Sequence, residues 1–167
     1  MKHLLLLCLF LMTLPAAWAV DEDVYTQLDE ALRSGRVKHV GFDRAYKELS
    51  PLAEQGDAKA MFHVSILYYL GVGGAPRDAN KAKELITDSA EKGYVLAQYQ
   101  LANNYEHGVY GDKDFTAALD WYTRAAKAGM CGAIKRLINA YDRGELGLPK
   151  DQGKMAEWSK KAEACTE

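Results

Sequence analysis

The sequence predicts an all-α fold, a right-handed α/α solenoid of about four antiparallel helix pairs. A glycine followed four positions later by alanine recurs at Gly56, Gly93 and Gly129, with spacings of 37 and 36 residues. A tyrosine comes twelve positions after each of these glycines, and another glycine comes three positions after the tyrosine. A helical unit repeated at this period cannot bury its apolar face alone, so neighbouring units are expected to stack.

The first helix of each unit is predicted from its apolar spacing. Small and apolar residues occupy positions i, i+4, i+5 and i+8, which form one helix face: Ala60, Val64, Ser65 and Tyr68; Ala97, Leu101, Ala102 and Tyr105; Ala133, Leu137, Ile138 and Tyr141. Gly71, Gly108 and Gly144 are then expected to end these helices, because glycine readily adopts the left-handed conformation at a helix end.

An aspartate is placed to cap the second helix of each unit, at Asp78, Asp114 and Asp151. Three full repeats are therefore expected at residues 57–93, 94–129 and 130–165, which together span 57–165. Residues 20–56 are predicted to form a degenerate N-terminal helix pair, since terminal repeats must face water on one side.

The N-terminus has the pattern of a cleaved signal peptide over residues 1–19. A short basic start precedes an apolar run at 4–14, and Ala17-Trp18-Ala19 supplies a small-x-small cleavage site. The run is too short to anchor the chain in a bilayer, so we expect no membrane anchor. The expected location is the periplasm, with secretion as the alternative.

Charge and cysteine content narrow the function classes. With 21 basic against 23 acidic residues, the chain is a poor candidate for nucleic-acid binding, which needs a basic face. Cys131 starts the first helix of the last unit and Cys165 ends the second, so antiparallel packing can bring the two sulfurs together. We expect a disulfide worth roughly 3–4 kcal/mol. A redox or metal-binding thiol pair is the alternative, but the C-x-x-C spacing is absent.

No pattern in the sequence predicts a catalytic, metal or cofactor site. His39, His63 and His107 lie in different units and form no H-x-x-x-H pair. The glycines at 71–74 are explained by a turn between helices, and no Gly-Lys-Ser/Thr follows. No G-x-S-x-G or S-x-x-K motif is present. The chain is therefore expected not to be an enzyme.

A concave groove lined by the first helices is the expected binding surface. Positions off the core stripe should face it: Phe62, His63 and Ile66; Tyr99, Gln100 and Asn103; Lys135, Arg136 and Asn139. Aromatic and arginine side chains dominate interface energetics, although Phe62 and Tyr99 could instead pack between neighbouring first helices. His63 is expected to be solvated or part of the surface. Lys135 and Arg136 are hard to bury, which favours a partner protein with an acidic surface.

The repeat resembles the Sel-like repeat (SLR) family, a relative of the tetratricopeptide repeats, over about residues 43 to 165. The columns that carry the resemblance are Gly93, Ala97, Leu101, Ala102, Tyr105, Gly108, Asp114, Ala118, Trp121, Tyr122, Ala125 and Ala126. Ser65, Ile138 and Met155 depart from the family's usual small residues. The resemblance implies a protein-binding scaffold, and some exported members have disulfide-stapled helix pairs.

Exported bacterial members of this family include signalling adaptors, host-interaction proteins and immunity proteins. The most specific hypothesis, which rests on the resemblance, is an immunity protein that neutralises a periplasm-acting toxin, such as a lipase delivered by type VI secretion. An adaptor for envelope signalling or host interaction is one alternative. A β-lactam-binding or β-lactamase-like enzyme is the other, because some cysteine-rich members have been associated with that chemistry.

Overall fold

The structure, a computed structural model, describes residues 22–34 and 40–165, and the expected signal peptide lies outside these ranges. The described residues form eight α-helices and no strand, so the all-α prediction is confirmed. The helices are α1 (Glu22–Ser34), α2 (Val40–Glu54), α3 (Ala58–Leu70), α4 (Ala79–Glu91), α5 (Val95–His107), α6 (Phe115–Lys127), α7 (Cys131–Arg143) and α8 (Gln152–Ala162).

The helices stack as four consecutive pairs. Packing is most extensive within the pairs α3–α4, α5–α6 and α7–α8, whereas α2 packs more extensively on α3 than on α1. Each pair also packs on the next one. Contacts made mainly between sequence neighbours are the pattern of a solenoid, in which each unit buries the apolar face of the unit beside it. The predicted α/α solenoid is therefore confirmed.

The predicted helix boundaries arise from local capping. Side-chain oxygens of Asp78, Asp114 and Asp151 each accept a hydrogen bond from a backbone N–H in the first turn of the second helix. At the other end of α3, Gly71 adopts the left-handed conformation with φ of 69°, and its N–H donates to the Leu67 carbonyl. A side chain at that φ would be strained, so glycine ends the helix there.

The core follows the apolar stripes of the first helices. Ala97, Leu101 and Ala102 of α5 are fully buried. Trp121 of α6 and Trp158 of α8 pack in the same core from the second helices. Small residues on the first helix let the second approach closely, and the large rings fill the remaining space. This packing fixes the orientation of the first helices and hence of the surface that they present.

A disulfide closes the last helix pair. The sulfurs of Cys131 and Cys165 are bonded, with the two Cα atoms 5.7 Å apart. Trp158 is the buried residue of α8, whose remaining side chains are partly or fully exposed. Since α8 has little apolar area to hold it in place, the disulfide is an important part of its attachment. Within the described ranges, no helix has the length and apolar character needed to cross a membrane.

Candidate interaction surface

Side chains of the first helices α3, α5 and α7 meet on what we call the groove face, where α3 and α5 line one depression and Arg136 of α7 pairs with Glu106 of α5. Two aromatic side chains predicted to project from it are instead half-buried between units. The Phe62 ring centroid lies 5.4 Å from that of Tyr94, at the entrance to α5. The Tyr99 ring is 5.8 Å from the Tyr122 ring and also abuts Gly132 of α7. The packing interpretation therefore describes both Phe62 and Tyr99.

His63 is buried, so the expectation that it is solvated is wrong. Only 6% of the residue is exposed. Its ring lies 4.8 Å from that of Tyr25, because α1 of the N-terminal pair covers this side of α3. The pKa of His63 is lowered to about 4, and burial is the largest cause. The charge of Asp29 acts to raise this pKa, and the charge of Lys59 lowers it further. Among the described residues its Nδ1 atom has no hydrogen-bond partner.

Arg136 is neutralised within the protein, which corrects the predicted basic patch. Its Nη2 donates to Oε1 of Glu106 at 2.6 Å, and its Nη1 donates to Oε2 of Glu145 at 2.7 Å. The Tyr122 hydroxyl donates to Glu106 at 2.8 Å. Burial acts to raise the pKa of Glu106, but the hydrogen bonds from Arg136 and Tyr122 outweigh it and lower the pKa. Of the predicted basic pair, Lys135 alone is exposed.

Three predicted residues of the groove face come together around a depression of about 330 Å³, which we call the notch. These are Ile66 of α3 and Gln100 and Asn103 of α5. The notch is further lined by Ser65, Tyr69, Leu70, Ile86, Asn104, Val109 and Tyr110. Lys135 and Asn139 are exposed on α7 but are not part of its lining.

The notch has apolar walls with amide groups between them. Leu70 is 44% exposed at its rim. The rings of Tyr69 and Tyr110 meet edge to face at 6.0 Å. The Gln100 Nε2 donates to Oδ1 of Asn104 at 3.0 Å, which orients the amides. Burial raises the pKa of Tyr110 to about 12, so its hydroxyl stays neutral near pH 7. An apolar wall with a few oriented polar groups is the usual composition of a binding site.

Comparison of repeat columns contains a signal for the notch that the sequence prediction did not use. Leu70 holds the column occupied by His107 in the second repeat and by Arg143 in the third. A position that is charged or polar in two repeats is expected to face solvent, so an apolar residue there in one repeat adds exposed apolar area to that surface. Tyr69 has the exposed Asp142 as its counterpart in the third repeat, whereas its counterpart in the second, Glu106, is largely buried by its pairing with Arg136.

The described residues contain no cluster of three or more His, Cys, Asp or Glu side chains placed to hold a metal ion. The side chains gathered at the notch are aliphatic, aromatic and amide groups, together with the Ser65 hydroxyl. Ser65 donates to the Phe62 carbonyl at 2.6 Å, so its hydroxyl is part of helix packing. The groups at the notch are suited to apolar contacts and hydrogen bonds.

Stacked helix pairs with a notch between their first helices define a repeat protein of the binding-scaffold type. The Sel1 repeat family model matches residues 58–94, 95–130 and 139–165. The chain therefore belongs to the Sel1 repeat family, as the resemblance implied. Sel1 repeats generally mediate protein–protein interactions and are generally non-enzymatic, so the chain is a protein-interaction scaffold.

Two solved structures share the fold. A Sel1 repeat protein from Oxalobacter formigenes is 34% identical with a TM-score of 0.66, and the match covers 74% of this chain and 92% of that one. A protective antigen present in uropathogenic Escherichia coli strains, which displays an SLR fold, is 25% identical with a TM-score of 0.63, covering 84% of this chain and 33% of that one.

Curated relatives include longer fungal proteins. Protein SHC1 of Saccharomyces cerevisiae is 30% identical over 133 residues, which are 75% of this chain and 26% of that protein. Chitin synthase regulatory factor 3 of Schizosaccharomyces pombe is 33% identical over 129 residues, covering 74% of this chain and 13% of that protein. The chain thus spans about a quarter or less of the length of these relatives.

Proposed function

We propose that this chain is an exported scaffold that binds one partner protein at the notch and holds it inactive. Its specific form is an immunity protein that neutralises a periplasm-acting toxin, such as a type VI secretion lipase. The Cys131–Cys165 disulfide supports export, because disulfides persist in oxidising compartments. A scaffold that binds without chemistry suits an inhibitor, which needs only to occupy its target.

The observation that carries the proposal is the notch itself. Its volume of about 330 Å³ lies at the lower end of the range of ligand pockets, about 300–1,000 Å³. Leu70 and Tyr69 expose apolar area at its rim, and burying such area drives association. The occupant is therefore an apolar side chain on the partner's surface, with the amides of Gln100 and Asn103 positioned for the partner's backbone.

Lys135 contributes the electrostatic part of the proposal. Arg136 is committed to Glu106 and Glu145, so Lys135 is left to meet an acidic group on the partner. An exposed charge at the rim of an interface acts mainly on the association rate. Lys135→Glu is thus expected to slow association by a factor that shrinks as salt is raised, whereas a change in the notch accelerates dissociation.

A regulatory adaptor is the second candidate function. The fungal relatives favour it, since one of them is named as a chitin synthase regulatory factor. An adaptor would use the same notch but would leave its partner active or tune it. The two candidates therefore differ in the identity of the bound protein and in the effect of binding on its activity.

The test immobilises the purified protein and exposes it to periplasmic extract and to purified candidate toxins. Leu70→Glu places a charge in the notch, and Leu96→Glu is the matched control, because Leu96 is 43% exposed but does not line the notch. We expect the wild type and the Leu96→Glu control to capture one protein in equimolar amount and to inhibit it. Leu70→Glu is expected to weaken binding by about thirtyfold or more, as for a hot-spot residue.

Equal capture of the partner by the wild type and both variants would show that the notch is not part of the binding surface. Capture through the notch without inhibition would replace the immunity role by the adaptor role. Turnover of nitrocefin by the wild-type protein would contradict the scaffold and favour the β-lactam-acting alternative.

A further inference from the structure

The turn that joins the two helices differs in the middle repeat. The turns span residues 71–78, 108–114 and 144–151, so the second is one residue shorter than the others. The first and third turns contain a proline, at Pro76 and Pro149, and the second contains none. In both of the longer turns the residue before the proline is apolar, which makes an aliphatic–proline pair.

In the first repeat the aliphatic–proline pair covers the side of the hydrophobic core that lies next to the turn. Ala75 is only 5% exposed and packs in one cluster with Tyr46 and Tyr68. The rings of these two tyrosines are 6.0 Å apart, and their hydroxyl oxygens are 3.3 Å apart. The third repeat is built in the same way, because Leu148, Leu119 and Tyr141 hold the equivalent positions and all three pack against the C-terminal core.

In the middle repeat the same three positions are occupied by Asp112, Lys83 and Tyr105, and the edge stays open. Asp112 is exposed, and Lys83 approaches the Tyr105 ring only to 5.8 Å. A depression of about 760 Å³ lies here, which we call the turn pocket. It lies between the middle turn and the third turn, and its apolar lining comes from Phe115, which is 41% exposed, and from Leu119, Leu146 and Leu148. Charged side chains line the rest of it: Lys83, Asp112, Lys113 and Asp114.

We propose that the turn pocket binds an aliphatic residue followed by proline on a loop of a partner protein. Such a loop supplies from outside what Ala75-Pro76 and Leu148-Pro149 supply within the chain. Aromatic side chains are good surfaces for a proline ring, and Tyr105 and Phe115 both line the pocket. Leu119 and Leu148, which also close the edge of the third repeat, form the apolar wall for the aliphatic residue, whose burial is favourable.

The turn pocket adjoins the notch but is a separate surface. Asn104 and Tyr110 line both depressions, so one partner can fill the two at once. Phe115 and Lys83 belong to the turn pocket alone, whereas Leu70 belongs to the notch alone. The inference does not rest on the proposed function, because a short peptide tests the turn pocket in the absence of any partner.

The experiment titrates the isotope-labelled protein with a peptide that copies residues 147–151, acetyl-Gly-Leu-Pro-Lys-Asp-amide. Backbone amide shifts are followed by two-dimensional NMR. We expect saturable shifts at Tyr105, Phe115 and Leu119, and none at Leu96 on the far end of α5. The control peptide has aspartate in place of leucine and is expected to cause no saturable shift.

Filling the pocket from within the chain gives the matched variant. Asp112→Leu with one proline inserted after it makes the middle turn read Gly-Leu-Pro-Lys-Asp, as in the third repeat. This variant is expected to weaken peptide binding at least about tenfold, which corresponds to about 1.4 kcal/mol. Phe115→Ser, at an exposed position, is expected to weaken peptide binding without altering the turn. It is the test variant to use if the insertion prevents folding.

The proposal is overturned if the peptide causes no saturable shift at the turn pocket, or if the control peptide binds as well. Unchanged binding by the folded filled-turn variant, or by Phe115→Ser when that variant does not fold, overturns it too. None of these results changes the expected capture by the notch, which Leu70→Glu tests separately.

Discussion

Acidification tests the burial of His63 because the folded protein resists protonation of this ring. The pKa of a histidine in the unfolded chain is about 6.5, and in the folded protein burial lowers that of His63 to about 4. A depressed folded-state pKa means that the unfolded chain takes up the proton first as the pH falls. The stability that the folded protein gains by keeping His63 neutral is fully present above pH 6.5, and it is lost as the pH falls from 6.5 towards 4.

The size of this loss follows from the two pKa values. Between pH 7.5 and pH 4.5 they correspond to about 2–3 kcal/mol of unfolding free energy, and the loss approaches its limit at lower pH. His63→Phe keeps a ring of similar size against Tyr25 and removes the titration. Urea unfolding at both pH values therefore should show a smaller loss for His63→Phe than for the wild type, by about 2–3 kcal/mol.

Other groups also titrate over this range, so the difference between the two proteins is the quantity to measure. His107→Phe, at an exposed histidine, is the matched control and is expected to keep the wild-type loss. An equal loss of stability in the wild type and in His63→Phe would show that His63 is not held neutral by burial, and the packing of α1 over α3 would have to be revised.

Three further predictions concern the stability of the fold. Replacing Cys131 and Cys165 by serine should lower the unfolding free energy by about 4 kcal/mol for their 34-residue separation, measured by urea unfolding without reductant. Glu106→Ala should cost about 2 kcal/mol because it removes one of the two acceptors of the half-buried Arg136 and the acceptor of the Tyr122 hydroxyl, and Glu106→Gln should cost less. Gly73→Ala should lower the melting temperature more than Gly93→Ala. Both have positive φ, but a Cβ at Gly73 meets a backbone carbonyl oxygen of α2, whereas one at Gly93 meets nothing within 4 Å.

The architecture could be predicted from the sequence because it depends on local spacing. The glycine at the position of Gly71 ends the first helix of each repeat, and the aspartate at the position of Asp78 caps the second helix. Both signals act within a few residues. The small residues at Ala97 and Ala102 then determine which face is buried. Repetition of one unit at a fixed period removes the need to predict long-range contacts, since each unit packs on its neighbours.

The binding surface was less predictable because it depends on contacts between units. His63 lies off the core stripe of α3, yet α1 covers it, and no spacing within α3 indicates that cover. Arg136 finds its acceptors on α5 and on the turn after α7, at Glu106 and Glu145. Ile66 is half-buried and lines the notch together with Gln100 and Asn103 of α5, and its role in binding stays a prediction.

Crosslinking to the captured partner tests the central claim most directly. A photoreactive benzoylphenylalanine replaces Tyr69 in the notch in one protein and Leu96 in another. The proposed binding surface predicts a crosslink to the partner from position 69 and none from position 96. A crosslink from position 96 alone, or equal yields from both, would contradict the claim that the notch is where this scaffold binds its partner.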